Sequence, residues 1–155
     1  MFRKPVGGPR IVPFAQPRTK YDYLANGHPG FRVTQRFGDW DAFFHNAIHG
    51  AMDIGNFYCR DRVVAMAAGY ATRLSDPNGA LGVQVRHPNG YKTQYWHLSR
   101  YAAAVPAQGA SVAEGTLIGY VGRTGLDLGG CHLHVVVINP QGTPVDPWPL
   151  IRTGN

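Results

Sequence analysis

The sequence predicts an all-β domain with a mainly antiparallel sheet and long connecting loops. Three observations carry that expectation. From Phe31 onward, short apolar or β-branched runs alternate with turn-forming clusters. The 20 glycines and 12 prolines punctuate the chain too often for long helices. The best stretch of helix formers, AAAVPAQGA (102–110), is interrupted by Pro106 and Gly109. At 155 residues and 44% hydrophobic content, the chain has apolar material for one core and not two.

Taken in order, residues 1–30 hold Pro5, Pro9, Pro13, Pro17 and Pro29 and read as an irregular leader packed on a domain spanning 31–155. FRVTQRF (31–37) is the first strand candidate, with β-branched Val33 and Thr34 at its centre. In HGAMDIG (49–55), two glycines and Ile54 oppose a helix and favour extended or looped chain. VVAMAA (63–68), GYATRLS (69–75), LGVQVRH (81–87), YKTQYWHL (91–98), TLIGYVG (116–122) and HLHVVVIN (132–139) follow as strands. DPNG (76–79), HPNG (87–90), RTGLDLGG (123–130) and NPQGTP (139–144) are turn chemistry between them. Residues 81–98 form the clearest hairpin, with Asn89-Gly90 at its tip. Alternation along 91–98 places Tyr95 on the face of His97, with Trp96 and Leu98 on the other.

Composition excludes several classes. No run approaches the roughly 18 consecutive apolar residues of a membrane span, so no membrane insertion is expected. The first twenty residues carry basic side chains with no apolar stretch behind them, and no signal peptide is read there. Fifteen Lys and Arg against nine Asp and Glu give a net charge of +6, which favours a polyanionic partner. The basic residues are scattered, without the packed run of a nucleic-acid arm, so no nucleic acid is expected. Cys59 and Cys131 form no CxxC pair; on their number and the lack of an export signal, two free thiols are expected rather than a bridge.

Seven histidines are enough to contain a metal site. His28 and His87 precede prolines in turns and read as surface or hydrogen-bonded core residues, while His45 is ambiguous. His49 and Asp53 put an imidazole and a carboxylate four apart, a spacing common by chance. His132 and His134 say more. They open the strand run Val135–Ile138, and residues two apart on a strand share a face. As core filler, both rings would leave polar edges unsatisfied. A metal, alone or with a catalytic role, resolves that. Catalytic zinc takes three ligands from His, Asp and Glu and keeps a position for water. Four patterned histidines and Asp53 exceed three ligands, which suits a hydrolytic site better than a closed structural one. No HExxH occurs, and Glu114, the one glutamate, sits in a turn-like AEGT, so proton transfer falls to imidazoles.

Four ordered segments now resemble a family: His49-Gly50-Ala51-Met52-Asp53, Tyr95-Trp96-His97-Leu98-Ser99, the glycine-rich 115–125, and His132-Leu133-His134. They look like the lysostaphin-type (LytM-like) zinc endopeptidases, which cut peptide bonds in bacterial peptidoglycan, and the likeness runs from about Phe31 to Pro147. The resemblance implies a fold of the duplicated-hybrid-motif type and one zinc ion held by His49, Asp53 and His134. His97 and His132 would be the catalytic pair, one the general base and the other stabilising the developing charge or protonating the leaving amine. It also implies a peptidoglycan peptide as substrate, a stem or cross-link bond such as D-Ala–diaminopimelate, and a monomer.

The chain departs from the family pattern at Val135 and Val136, where many members carry an aromatic residue and a glutamate, and at Cys131, where Pro or another small residue is common. Phe43, Phe44 and His45 fill a stretch where some members place a tyrosine. Three rival readings fit the residues less well. A catalytically inactive member that binds peptidoglycan or activates another hydrolase would be expected to lack some of the five site residues, and none is missing. A cupin-type barrel wants a Glu and a distant His after its HxH, and neither follows His134. A basic nucleic-acid module explains the charge but not the histidines. Action at the cell wall without a visible export signal suggests a bacteriophage lysin, carried on a particle or released through a holin, or a domain of a longer exported chain. Loops 36–48, 76–80, 100–114 and 123–130 are the expected groove walls.

Overall fold

The computed structural model describes residues 32–41, 47–48, 50–55, 59–125 and 130–147. The expected leader, His28, His45 and His49 lie outside the described residues. Thirteen strands are described: β1 (Arg32–Gln35), β2 (Trp40–Asp41), β3 (Ala47–Ile48), β4 (Met52–Gly55), β5 (Arg62–Val64), β6 (Gly69–Ser75), β7 (Leu81–Arg86), β8 (Lys92–Trp96), β9 (Leu98–Tyr101), β10 (Ala110–Val112), β11 (Leu117–Val121), β12 (Leu133–Ile138) and β13 (Pro144–Val145). Every pairing between them is antiparallel. The all-β expectation holds.

An eight-stranded sheet runs β1-β4-β12-β8-β7-β6-β10, with β13 also on β12; β5-β11-β9 form a second sheet and β2-β3 a short ribbon. Alternation decides which face of the large sheet is covered. Along β12, Leu133, Val135 and Val137 are buried while His134, Val136 and Ile138 are half-buried. β8 repeats this with Thr93 and Tyr95 buried. The covered face joins Met52, Ile54, Val83 and Val85 to Val63, Leu98, Ile118 and Val121 of the second sheet in one core. Burying each such aliphatic side chain contributes about 1.5–3 kcal/mol. The other, open face keeps its side chains half-buried along β8 and β12, as antiparallel sheets allow. Across it run Asp53, His134, Trp96 and Gly82, each directly opposite the next.

Three of the expected turns are copies of one design. Asp76-Pro77-Asn78-Gly79, His87-Pro88-Asn89-Gly90 and Asn139-Pro140-Gln141-Gly142 each place proline second and glycine fourth. In each, the glycine N–H donates to the carbonyl of the first residue, at 2.9–3.0 Å. The glycines have φ between 83° and 88°, a left-handed conformation that glycine adopts without steric cost. The 81–98 hairpin is therefore present with a three-residue loop.

Two expectations are corrected. Cys59 and Cys131 are not free thiols but form a disulfide, with Cα atoms 5.2 Å apart and a sequence separation of 72. Cys59 follows β4 and Cys131 precedes β12, and the Asp53–His134 pairing of those strands brings the two cysteines together. Their count in the sequence carried no information about that pairing. Tyr95 and His97 do not share a face: Tyr95 is fully buried in the core, and alternation breaks at His97, where φ is 68°. This residue turns the chain from β8 in the large sheet into β9 in the small one.

His87 is a hydrogen-bonded core residue, as its sequence context suggests. Its Nδ1–H donates to the Ala68 carbonyl at 2.7 Å, and Nε2 accepts from the Thr93 hydroxyl at 3.0 Å. Tyr95 then donates to Thr93 Oγ1 at 2.9 Å and accepts from the Met66 N–H at 3.0 Å. The carbonyl can only accept, so the direction of the whole chain follows from it. Burial holds the His87 imidazole below its ordinary 6.5, although the Ala68 bond opposes this. Burial likewise pushes the Tyr95 phenol up to about 12.

A lowered folded-state pKa means that the unfolded chain binds the His87 proton first. This contribution is therefore complete above pH 6.5 and is lost as pH falls below it. His87→Gln is expected to flatten that part of the acid dependence, read as the urea midpoint between about pH 7.5 and 5; an unchanged slope would contradict it. Replacing both cysteines by serine is expected to lower Tm by roughly 5–15 °C, since the bridge closes a long loop; calorimetry of the two proteins checks this.

Candidate active site

β4 and β12 deliver the first two groups. Asp53 and His134 stand opposite in register on the open face, and His134 Nδ1 lies 2.7 Å from Asp53 Oδ1. Both side chains are largely enclosed, 23% and 13% exposed for His134 and Asp53. Two residues earlier, His132 shares the face of His134. Its Nε2 is 3.9 Å from the same carboxylate oxygen. Its Nδ1–H donates to the Gly130 carbonyl at 3.0 Å.

His97 enters from the corner between the sheets. Its ring centroid is 5.0 Å from that of His132 and 5.6 Å from that of His134. The left-handed backbone at this position costs on the order of 1 kcal/mol for a residue with a Cβ. The surroundings hold it there. His97 Nδ1–H donates to the Thr124 carbonyl at 2.8 Å, and Thr124 Oγ1 donates to the Leu98 carbonyl at 2.7 Å. The glycine-rich stretch makes this approach feasible. A Cβ on Gly122 would lie 2.5 Å from the Ser99 backbone nitrogen, so any side chain there would push Thr124's segment off β9.

The structure thus brings together Asp53, His97, His132 and His134, four of the five residues expected from sequence; His49 lies outside the described residues. The four divide by the atoms they present. His97 and His132 both spend Nδ1–H on a backbone carbonyl, which sets the tautomer and leaves Nε2 as the basic nitrogen. His134 instead turns Nδ1 to a carboxylate. A facing nitrogen and carboxylate oxygen fit the donor chemistry of zinc. Among the described residues no group of three His, Cys, Asp or Glu side chains is arranged to hold a metal, so the pair would need a donor from elsewhere. Sequence reasoning missed Thr124 and the Gly130 carbonyl. Both act through main-chain oxygens, which leave no trace in residue type. The disulfide, with Cys131 directly before His132, was missed as well.

Comparison with known proteins identifies the family and the fold. The family model described as peptidase family M23 matches residues 44–147. The DD-carboxypeptidase/endopeptidase Mpg of Neisseria meningitidis serogroup B is 47% identical over 65 residues, 42% of this chain and 14% of that protein. The chain therefore spans a small fraction of the length of the curated relatives it matches. Among solved structures, the catalytic domain of the antimicrobial peptidase lysostaphin from Staphylococcus simulans superposes with a TM-score of 0.69 at 23% identity, covering 87% of this chain and 99% of that one. A zinc containing peptidase from Vibrio cholerae gives a TM-score of 0.65 at 22% identity, over 91% of this chain and 40% of that one. With the matched region spanning most of the described strands and every site residue, the chain belongs to peptidase family M23.

Proposed function

We propose that the protein is a zinc-dependent endopeptidase that hydrolyses peptide bonds in bacterial peptidoglycan, in the stem or at a D-Ala–diaminopimelate cross-link. The observation that carries this is the pair His97 and His132. His132 Nε2 lies 3.9 Å from Asp53 Oδ1 and the His97 ring centroid lies 5.6 Å from that of His134, with Nδ1–H of both anchored on main-chain carbonyls. In this reading Asp53 and His134 hold the ion together with His49. Bound zinc supplies an electrophile that polarises the scissile carbonyl and acidifies water. The imidazoles move the protons. One ring, neutral, takes a proton at Nε2 as the water oxygen bonds to the carbonyl carbon; the other, entering as the imidazolium, donates its Nε2 proton to the nitrogen as the C–N bond breaks. The left-handed corner at His97 keeps that ring from swinging away between steps.

Support comes from the family and from the names of the relatives, one a DD-carboxypeptidase/endopeptidase and another a zinc containing peptidase. The disulfide supports action outside the reducing cytoplasm, whether the chain is delivered as a bacteriophage lysin or within a longer exported protein. A non-hydrolytic role in binding peptidoglycan is the second reading, and the intact His97–His132 pair disfavours it.

Mass spectrometry of soluble products from purified peptidoglycan, with chelator and with zinc restored, tests the activity. New amino and carboxyl ends that vanish with chelator are expected; none from several wall types would favour the binding role. His49→Ala and Asp53→Ala are expected to lose zinc and activity together. His97→Ala and His132→Ala are expected to keep zinc while activity falls by at least about 10²-fold. Zinc lost in all four variants would undo the division of labour.

A further inference from the structure

The open face of the large sheet continues beyond the row that carries Asp53 and His134. In the next row Gln94 stands opposite Gln84, and in the one after it Lys92 stands opposite Arg86. These are the same-face positions, two and four residues along β8 from Trp96. Their contents are not those of a sheet surface that only meets water.

A directional amide chain leads away from the site. Trp96 Nε1–H donates to Gln94 Oε1 at 2.9 Å, and Gln94 Nε2–H donates to Gln84 Oε1 at 2.9 Å. An indole can only donate, so it fixes the orientation of both amides and ends the chain on the Nε2 group of Gln84. The indole lies flat on the sheet over Gly82: a Cβ on that glycine would sit 2.7 Å from the ring. The row holding Arg86 and Lys92 places like charges directly opposite, an arrangement that by itself destabilises a sheet. Arg86 is exposed, with its guanidinium 5.8 Å from the Tyr70 ring centroid.

Four residues of strand separate this cationic pair from the Trp96–His134 row, or about 13 Å at the rise of a β-strand. An extended peptide covers about that length in four residues. We propose that this face binds the acidic arm of the substrate peptide. Trp96 forms the floor beside the reacting bond, Gln84 Nε2–H donates to a peptide carbonyl, and Arg86 with Lys92 holds a carboxylate about four residues from the scissile bond. The proposal rests on the peptidase reading above and adds the chemical class of the arm, an extended peptide with a free carboxylate.

The test uses the zinc-loaded full chain and two wall-derived peptides that differ only in a carboxylate or a carboxamide at that position. KM is measured for each, and Kd for the same pair with an N-methylated scissile amide. The wild type is expected to favour the carboxylate roughly fivefold, the scale of partly exposed charge pairs. Arg86→Gln combined with Lys92→Gln is expected to bring that ratio to about one. Gln84→Leu is expected to raise KM for both peptides, and Arg62→Gln on the second sheet to leave the ratio alone. Equal KM and Kd for the two peptides in the wild type would overturn the proposal, as would a preference that survives the double substitution. Binding selectivity without cleavage of either peptide would instead count against the peptidase reading, so the two failures are distinct.

Discussion

The site depends on one pairing, that of β4 with β12. Asp53 faces His134 because Leu133 meets Ile54 and Val135 meets Met52 on the covered side. The four apolar partners are all fully buried. A slip of one residue would send them into water and turn Asp53 and His134 into the core. The free energy that holds a carboxylate against an imidazole on the open face is thus hydrophobic burial on the opposite face. Electrostatics at the site are a consequence of packing elsewhere.

The same logic accounts for how much could be read from the residues. The strand runs at 69–75, 81–87 and 132–139 were legible because their periods match what one covered face demands. The turns were legible because proline and glycine occupy positions fixed by backbone sterics. Of the site, His132 and His134 were legible as a pair on one strand face that is hard to reconcile with a plain core; Asp53 and His97 were named through the family resemblance, and His49 lies outside the described residues. What could not be read lies in long-range approach. The Thr124 carbonyl meets His97 across a sequence separation of 27, and Cys59 meets Cys131 across 72. Neither residue type announces its partner. The error over Tyr95 and His97 has a similar origin, because alternation is a rule within a strand, and the strand ends at Trp96.

His97 and Tyr95 also show how the two sheets are coupled. Tyr95 points into the core and ties Thr93 to the Met66 backbone, while His97, two residues on, leaves the large sheet altogether. The change of direction takes place at a single residue in a left-handed conformation. The Leu98 side of the core and the Thr124 segment hold that residue in place, so a strained backbone can persist at the residue proposed to transfer protons.

The disulfide links the two site strands to the redox state of their surroundings. It joins Cys59, four residues beyond the Asp53 strand, to the residue before His132, and so adds a covalent tie beside the pairing that aligns the site. Thiols stay reduced in the cytoplasm and oxidise beyond the membrane. A chain kept under reducing conditions would therefore lack this covalent restraint, and a chain in an oxidising compartment would carry it. The redox state of the surroundings thus sets how many covalent ties hold the two strands together.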